Sequence, residues 1–366
     1  MSNLKEIDIY SLNEFITIIK NNKLNDSYFR GENNKYSSIT SSLLRKDDAV
    51  LLKNNSFNFY EDAVNSYYEE IATNINEFDR SNFLAFSQHH GLPTNLIDLT
   101  TSPLIALYFA CAKENYELGN IGYVHIINKE KTIDISELIN KFLIAPSDTY
   151  NIIERFVRND STIIKKLISY LNNYFSTNGH APFYFDVLNE CNYLASTTGV
   201  IQVFLKELRE ALSNPNILAD ADIFHKLLFD NSKIGLIMGE CDNLTGIYVN
   251  LLYEFFRVLS SFTFFKSEGL DIKFPNIPYF IYRTPYKFDR VRNQDGLFLY
   301  QLYYTYATEY EDTPNKIIKQ EIKTDLTIVI KDQKNIMEEL DFIGINRKSI
   351  YGDFDNIAKY ISQKYF

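Results

Sequence analysis

FSQHHGLPTNLIDLTTSPLIALYFACAKEN, residues 86–115, is the stretch whose reading decides the fold. Gly91-Leu92-Pro93 marks a turn, because glycine and proline together punctuate regular structure. Asn95–Leu99 then reads as a short apolar strand. Ser102 and Pro103 mark a helix start, serine as the capping residue and proline at the first helical position. Leu104, Leu107, Tyr108 and Cys111 recur at i, i+3, i+4 and i+7, which predicts a buried helix face ending at Gly119. The step Thr100-Thr101-Ser102 places hydroxyls and free backbone N–H groups at the helix N-terminus, where the dipole favours an anion or an oriented amide. Capping alone accounts for Ser102, but not for two threonines following a strand.

Outward from this stretch, Ser11-Leu12-Asn13-Glu14 has capping-box spacing, and Leu12, Phe15, Ile18 and Ile19 fall on one helical face. SYFRG at 27–31 reads as a strand ending on glycine. Residues 37–80 read as helical, most clearly the amphipathic run at 57–78. IGYVHIIN at 121–128 predicts the next strand, and residues 132–270 read as a mostly helical block poor in motifs. Strands return at Tyr279–Arg283, Gly296–Gln301 and Leu326–Ile330. Asp332 and Asp353 are placed to cap helices running to Leu340 and Tyr360. The expectation is an α+β fold in which 1–131 and 271–366 supply halves of one sheet and 132–270 is a helical insertion.

The chain has 366 residues, 45% hydrophobic and 23% charged, which are globular proportions. Its net charge of −10 opposes general binding to nucleic acid or anionic membrane, while leaving room for a local basic pocket. The three cysteines are far apart, with no zinc spacing and no disulfide framework. With no run of about 18 apolar residues and no signal-peptide pattern at the start, the expected setting is the cytoplasm.

Arg30 ends a strand between aromatic neighbours and Gly31. A guanidinium there can hold a phosphate by two parallel bonds, or pair with one of the chain's many acids. His89-His90 is poor metal geometry, since adjacent side chains diverge and no HExxH accompanies them. No metal is expected. A hydrolase built on Ser87, His89 and Asp98 lacks the GxSxG elbow. RVRNQDGLF at 290–298 reads as a polar turn entering a strand.

Together, YFRG at 28–31, QHHGLPTNLIDLTTSPLIALYFAC at 88–111 and RVRNQDGLF at 290–298 resemble the FRG-domain family, named for the Phe-Arg-Gly motif. The closing helices at 337–361 also resemble that family's end. Two positions depart from its pattern: Asn95 stands where the family has Arg, and Leu99 where it has Trp.

The motif order is similar to the ADP-ribosyltransferase plan, which implies a split mixed sheet flanked by helices and NAD as substrate. That resemblance implies cofactor contacts from Arg30, Gly31, Gln88, His89, Thr101, Ser102 and Tyr108, with Arg30 and Gln294 in catalytic positions. It also implies a bacterial toxin or antiphage effector, either a transferase or an NAD glycohydrolase. The acceptor is left open, and a protein partner at the helical insertion is one expectation. Gln294 carries no charge where such enzymes use Glu; Asp295, Glu309 and Glu311 are the nearby acids. The alternative is a nucleotide-sensing or partner-binding module that leaves its ligand intact. The spatial expectation is that positions 30, 102 and 294 line one cleft.

Overall fold

In a computed structural model, which describes residues 6–45, 59–113, 121–139, 278–285, 289–306 and 316–366, strands from the two ends of the chain interleave. They are β1 (Glu6–Ile9), β2 (Ser27–Glu32), β3 (Leu96–Thr100), β4 (Gly122–Asn128), β5 (Thr132–Asp134), β6 (Tyr279–Tyr282), β7 (Gly296–Tyr300), β8 (Tyr303–Tyr306), β9 (Lys316–Lys319) and β10 (Leu326–Ile330). Eight of them form one mixed sheet in the order β1-β10-β4-β2-β3-β7-β6-β5, and β8 pairs with β9 separately. The edge pairings β1/β10 and β5/β6 are parallel; the rest are antiparallel. The expectation that the two halves complete one sheet is met: β10 lies between β1 and β4, and β7 pairs with β3.

The helices are α1 (Leu12–Asn21), α2 (Phe59–Ile71), α3 (Glu77–Ser81), α4 (Phe83–His89), α5 (Pro103–Cys111), α6 (Ser136–Ile139), α7 (Asp289–Asn293), α8 (Gln333–Phe342), α9 (Arg347–Tyr351) and α10 (Phe354–Tyr365). Phe29, Val124, Ile126, Ile328 and Ile330 face α1, α5 and α8 on one side of the sheet. Strand alternation sends Tyr28, Ile97, Ile127, Leu297 and Leu299 to the other side, with Ile39 and Ile322.

Helix α5 is the central support, and it sits unusually close to the sheet. A Cβ on Gly31 would lie 1.9 Å from the Ala106 carbonyl oxygen, and one on Gly122 would lie 2.1 Å from that of Ala110. Two glycines on adjacent strands facing two alanines on one helix set this spacing. Gln333 of α8 seals the contact by donating to the Ala110 carbonyl at 2.6 Å.

Several local readings change. Residues 37–45 are turn and coil rather than helix. Ser37, Ser38, Thr40, Ser41 and Ser42 offer the backbone competing partners, and its N–H groups go elsewhere. That of Ser41 donates to Gln301 Oε1 at 2.9 Å, and that of Leu43 to the Thr94 carbonyl at 3.0 Å. Ser102 occupies the N-cap position of α5 without a side-chain cap bond. At α1, Ser11 accepts from Glu14 as expected, but the Glu14 carboxylate reaches back to the N–H of Tyr10. Of the block read as a helical insertion, Thr132–Asp134 and Ser136–Ile139 are a sheet strand and a short helix; residues 140–270, with Cys191 and Cys241, lie outside the described residues.

Candidate functional site

The eight-stranded sheet is forked. β2 and β3 share a single residue pair, Phe29 with Thr100. Beyond it, Arg30, Gly31 and Glu32 stay on β4, while Leu96–Leu99 stay on β7. Arg30 spans the gap: one guanidinium nitrogen donates to the Asp98 carbonyl at 2.9 Å. Its Nε donates to Glu32 Oε1 at 2.8 Å, which strand alternation permits because residues two apart share a face.

Glu32 anchors a polar row across the sheet. Its second oxygen is 3.3 Å from His125 Nε2, and His125 Nδ1 is 3.1 Å from the Thr327 hydroxyl. The ladders put Arg30 beside His125 and His125 beside Thr327, so register alone aligns the row. Burial would raise the Glu32 pKa, but the His125 hydrogen bond and the Arg30 charge outweigh it, leaving a net shift downward. Glu32 is therefore a buried, ionised carboxylate with both oxygens engaged.

A cavity of about 300 Å³ opens beside Arg30 on the β2 side of the fork, bordered by Arg30, Gly31, Glu32, Tyr36, Arg45 and Lys319, with no β3 residue in its lining. That volume is at the lower end of small-molecule sites. A second cavity of about 140 Å³ is bordered by Gln88, His89, Asp98, Arg290 and Gln294. There Gln88 donates to Asp98 Oδ1 at 2.9 Å and accepts from the Thr94 hydroxyl. Burial, then the Arg290 charge, then His90 lower the His89 pKa against an opposing pull from Asp353, so the imidazole is neutral at pH 7.

The middle and late motifs meet through their main chains. The Thr100 hydroxyl donates to the Gln294 carbonyl at 2.7 Å and accepts from the Ser102 N–H at 3.0 Å. The Thr101 N–H donates to the Asp295 carbonyl at 3.2 Å. Asp295 takes a left-handed φ of 43°, forming the turn that aims β7 along β3. The Gln294 side chain points to the Ile350 carbonyl, 3.4 Å away.

The single cleft expected of positions 30, 102 and 294 is not formed; the expected site residues divide among cavities. Arg30 and Gly31 border the fork cavity; Gln88, His89 and Gln294 border the second. Tyr108 borders a third, of about 520 Å³, with Lys113, Arg347 and Tyr360. Thr101 and Ser102 border none of the three. Gly31 presses its Cα against α5, so close helix packing is reason enough for glycine there. The two departures from the family pattern, Asn95 and Leu99, are core positions, 0% and 4% exposed. Asn95 donates to the Gln301 carbonyl at 3.1 Å within a buried amide chain that continues from Gln301 to Gln320. Glu309 and Glu311 lie outside the described residues.

Sequence reasoning missed Glu32, His125, Arg45 and Lys319. The i, i+2 spacing from Arg30 pointed to Glu32; nothing in the sequence marked the other three. Among the described residues no group of three or more His, Cys, Asp or Glu is placed to hold a metal. No described helix is long and apolar enough to cross a membrane.

The geometry defines a class: an α+β fold with a forked mixed sheet, an arginine bridging the fork, and a cationic cavity at that point. Residues 25–118 match the model of the FRG domain, which shows the resemblance across the Phe-Arg-Gly strand and the strand-to-helix step. The late motif at 290–298 lies beyond the matched residues. No curated protein and no solved structure matches the chain.

Proposed function

We propose that this FRG-domain protein binds NAD at the fork between β2 and β3 and consumes it, as an ADP-ribosyltransferase or NAD glycohydrolase serving as a bacterial toxin or antiphage effector. One observation carries the reading: the sheet splits after a single residue pair, and Arg30 stands in the split bordering a cavity. A split mixed sheet with an aromatic-Arg-Gly strand resembles the plan of ADP-ribosyltransferases, which supports this reading. Loss of nicotinamide leaves a ribosyl cation, which a nearby negative charge stabilises. Gln294 lacks that charge, but Glu32 borders the same cavity as Arg30 and is ionised.

A second reading, binding without turnover, is favoured by the placement of Gln294. Its amide is turned to the Ile350 carbonyl in a cavity that Arg30 does not border. Mixing the purified chain with NAD and measuring free nicotinamide separates the two. Release by wild type, lost in Arg30→Ala with an unchanged melting curve, supports consumption. Saturable binding with NAD recovered intact supports the sensor. Absence of both binding and release refutes the NAD assignment.

A further inference from the structure

The fork cavity holds more positive charge than its acids neutralise. Arg30 is committed to Glu32 and to the Asp98 carbonyl. Arg45 and Lys319 are differently placed: Arg45 Nε donates to the Thr40 carbonyl at 3.4 Å, and Lys319 Nζ to the Leu44 carbonyl at 2.7 Å. Carbonyls orient these groups without cancelling their charge. Neither forms an ion pair with any described residue. Both border the cavity, one from the loop after β2 and the other from β9. Two cations held by main-chain oxygens thus border one cavity in a chain of net charge −10.

The hydroxyls there fit the same chemistry. Ser38 and Thr40 also border the cavity, with their oxygens 2.7 Å apart. Hydroxyls, a guanidinium and an ammonium together supply the donors that phosphate oxygens take. Tyr36, 54% exposed on the rim, offers a ring face on which a base can stack.

We propose that Arg45 and Lys319 form a subsite for the diphosphate of the bound nucleotide, leaving Arg30 to fix the ligand at the mouth of the fork. The proposal rests on the reading above for the identity of the nucleotide; the anion subsite itself follows from the two cations. It moves phosphate binding from the Phe-Arg-Gly strand to a loop and a strand that carry no motif.

Calorimetry of the full chain with NAD and, separately, inorganic pyrophosphate tests it, using wild type, Arg45→Gln, Lys319→Gln and the charge-keeping Lys319→Arg. Each neutral variant is expected to weaken both ligands about tenfold, as loss of one charge-assisted contact does. Lys319→Arg should retain most of the affinity, and binding should weaken as salt is raised. Pyrophosphate binding that the neutral variants weaken, without NAD binding, upholds the subsite and removes NAD as the ligand. NAD binding with equal affinity in both neutral variants overturns the subsite and leaves the nucleotide reading standing. Failure of both ligands to bind wild type overturns both. Melting curves exclude unfolding as the cause; Arg45 is exposed, so its variant leaves the core untouched.

Discussion

At Gly31 the distance between β2 and α5 leaves no volume for a methyl group. Gly31→Ala must push the strand off Ala106 and Ala110, as in other overpacked contacts, and is expected to destabilise by about 1–3 kcal/mol. Urea unfolding checks this, and an unchanged midpoint would show that the helix yields freely. Glu32 makes a prediction about acid. Its folded pKa is depressed by His125 and Arg30 in spite of burial, so below the ordinary carboxylate value the unfolded chain binds a proton that the folded chain does not. The stability it contributes is therefore complete above about pH 4.5 and lost as pH falls through the folded value. Urea midpoints from about pH 6 downward should fall more steeply for wild type than for Glu32→Gln. Parallel slopes would mean that the carboxylate is not held ionised.

Among the elements, the joint between β3, α5 and the turn before β7 depends on one hydroxyl. Thr100 donates to the Gln294 carbonyl and accepts from the Ser102 N–H, fixing the residue at which α5 begins. Thr100→Val keeps the shape and strands both groups, which should destabilise by about 1–3 kcal/mol. Hydrogen exchange should quicken first at Thr101 and Ser102, and uniform loosening would argue against a local joint. This joint was legible in the sequence as a strand-to-helix step, because turn chemistry and helix period are local signals. The partners of Thr100 were not, since Gln294 is 194 residues further along the chain. Strands β1, β5, β8 and β9 escaped notice for a related reason. Each has three or four residues, too few for alternation to be read, and is a strand only because a distant partner satisfies its backbone. The opposite error at 37–45 arose where distant acceptors outbid a helical pattern.

At the scale of the molecule, the sheet is assembled from both ends of the chain. β10 separates β1 from β4, and its residues Ile328 and Ile330 are 0% exposed. Ending the chain at residue 325 would remove this strand together with α8, α9 and α10, leaving β1 unpaired and the α5 face uncovered. Such a chain is expected to lose its cooperative melt, and a sharp transition would show that residues 1–325 fold without β10 and the closing helices. The same interleaving creates the fork: β2 is held by β4, β3 by β7, and the two sets touch at Phe29 and Thr100. Three sequence motifs were expected to line one cleft, but their side chains divide between cavities. Which cavity takes the ligand is therefore the central question. A crystal structure of the full chain soaked with NAD answers it most directly. NAD should lie in the fork beside Arg30, with its diphosphate against Arg45 and Lys319. Ligand density confined to the cavity at Gln88 and Gln294, or a fork left empty at saturating NAD, would contradict the account.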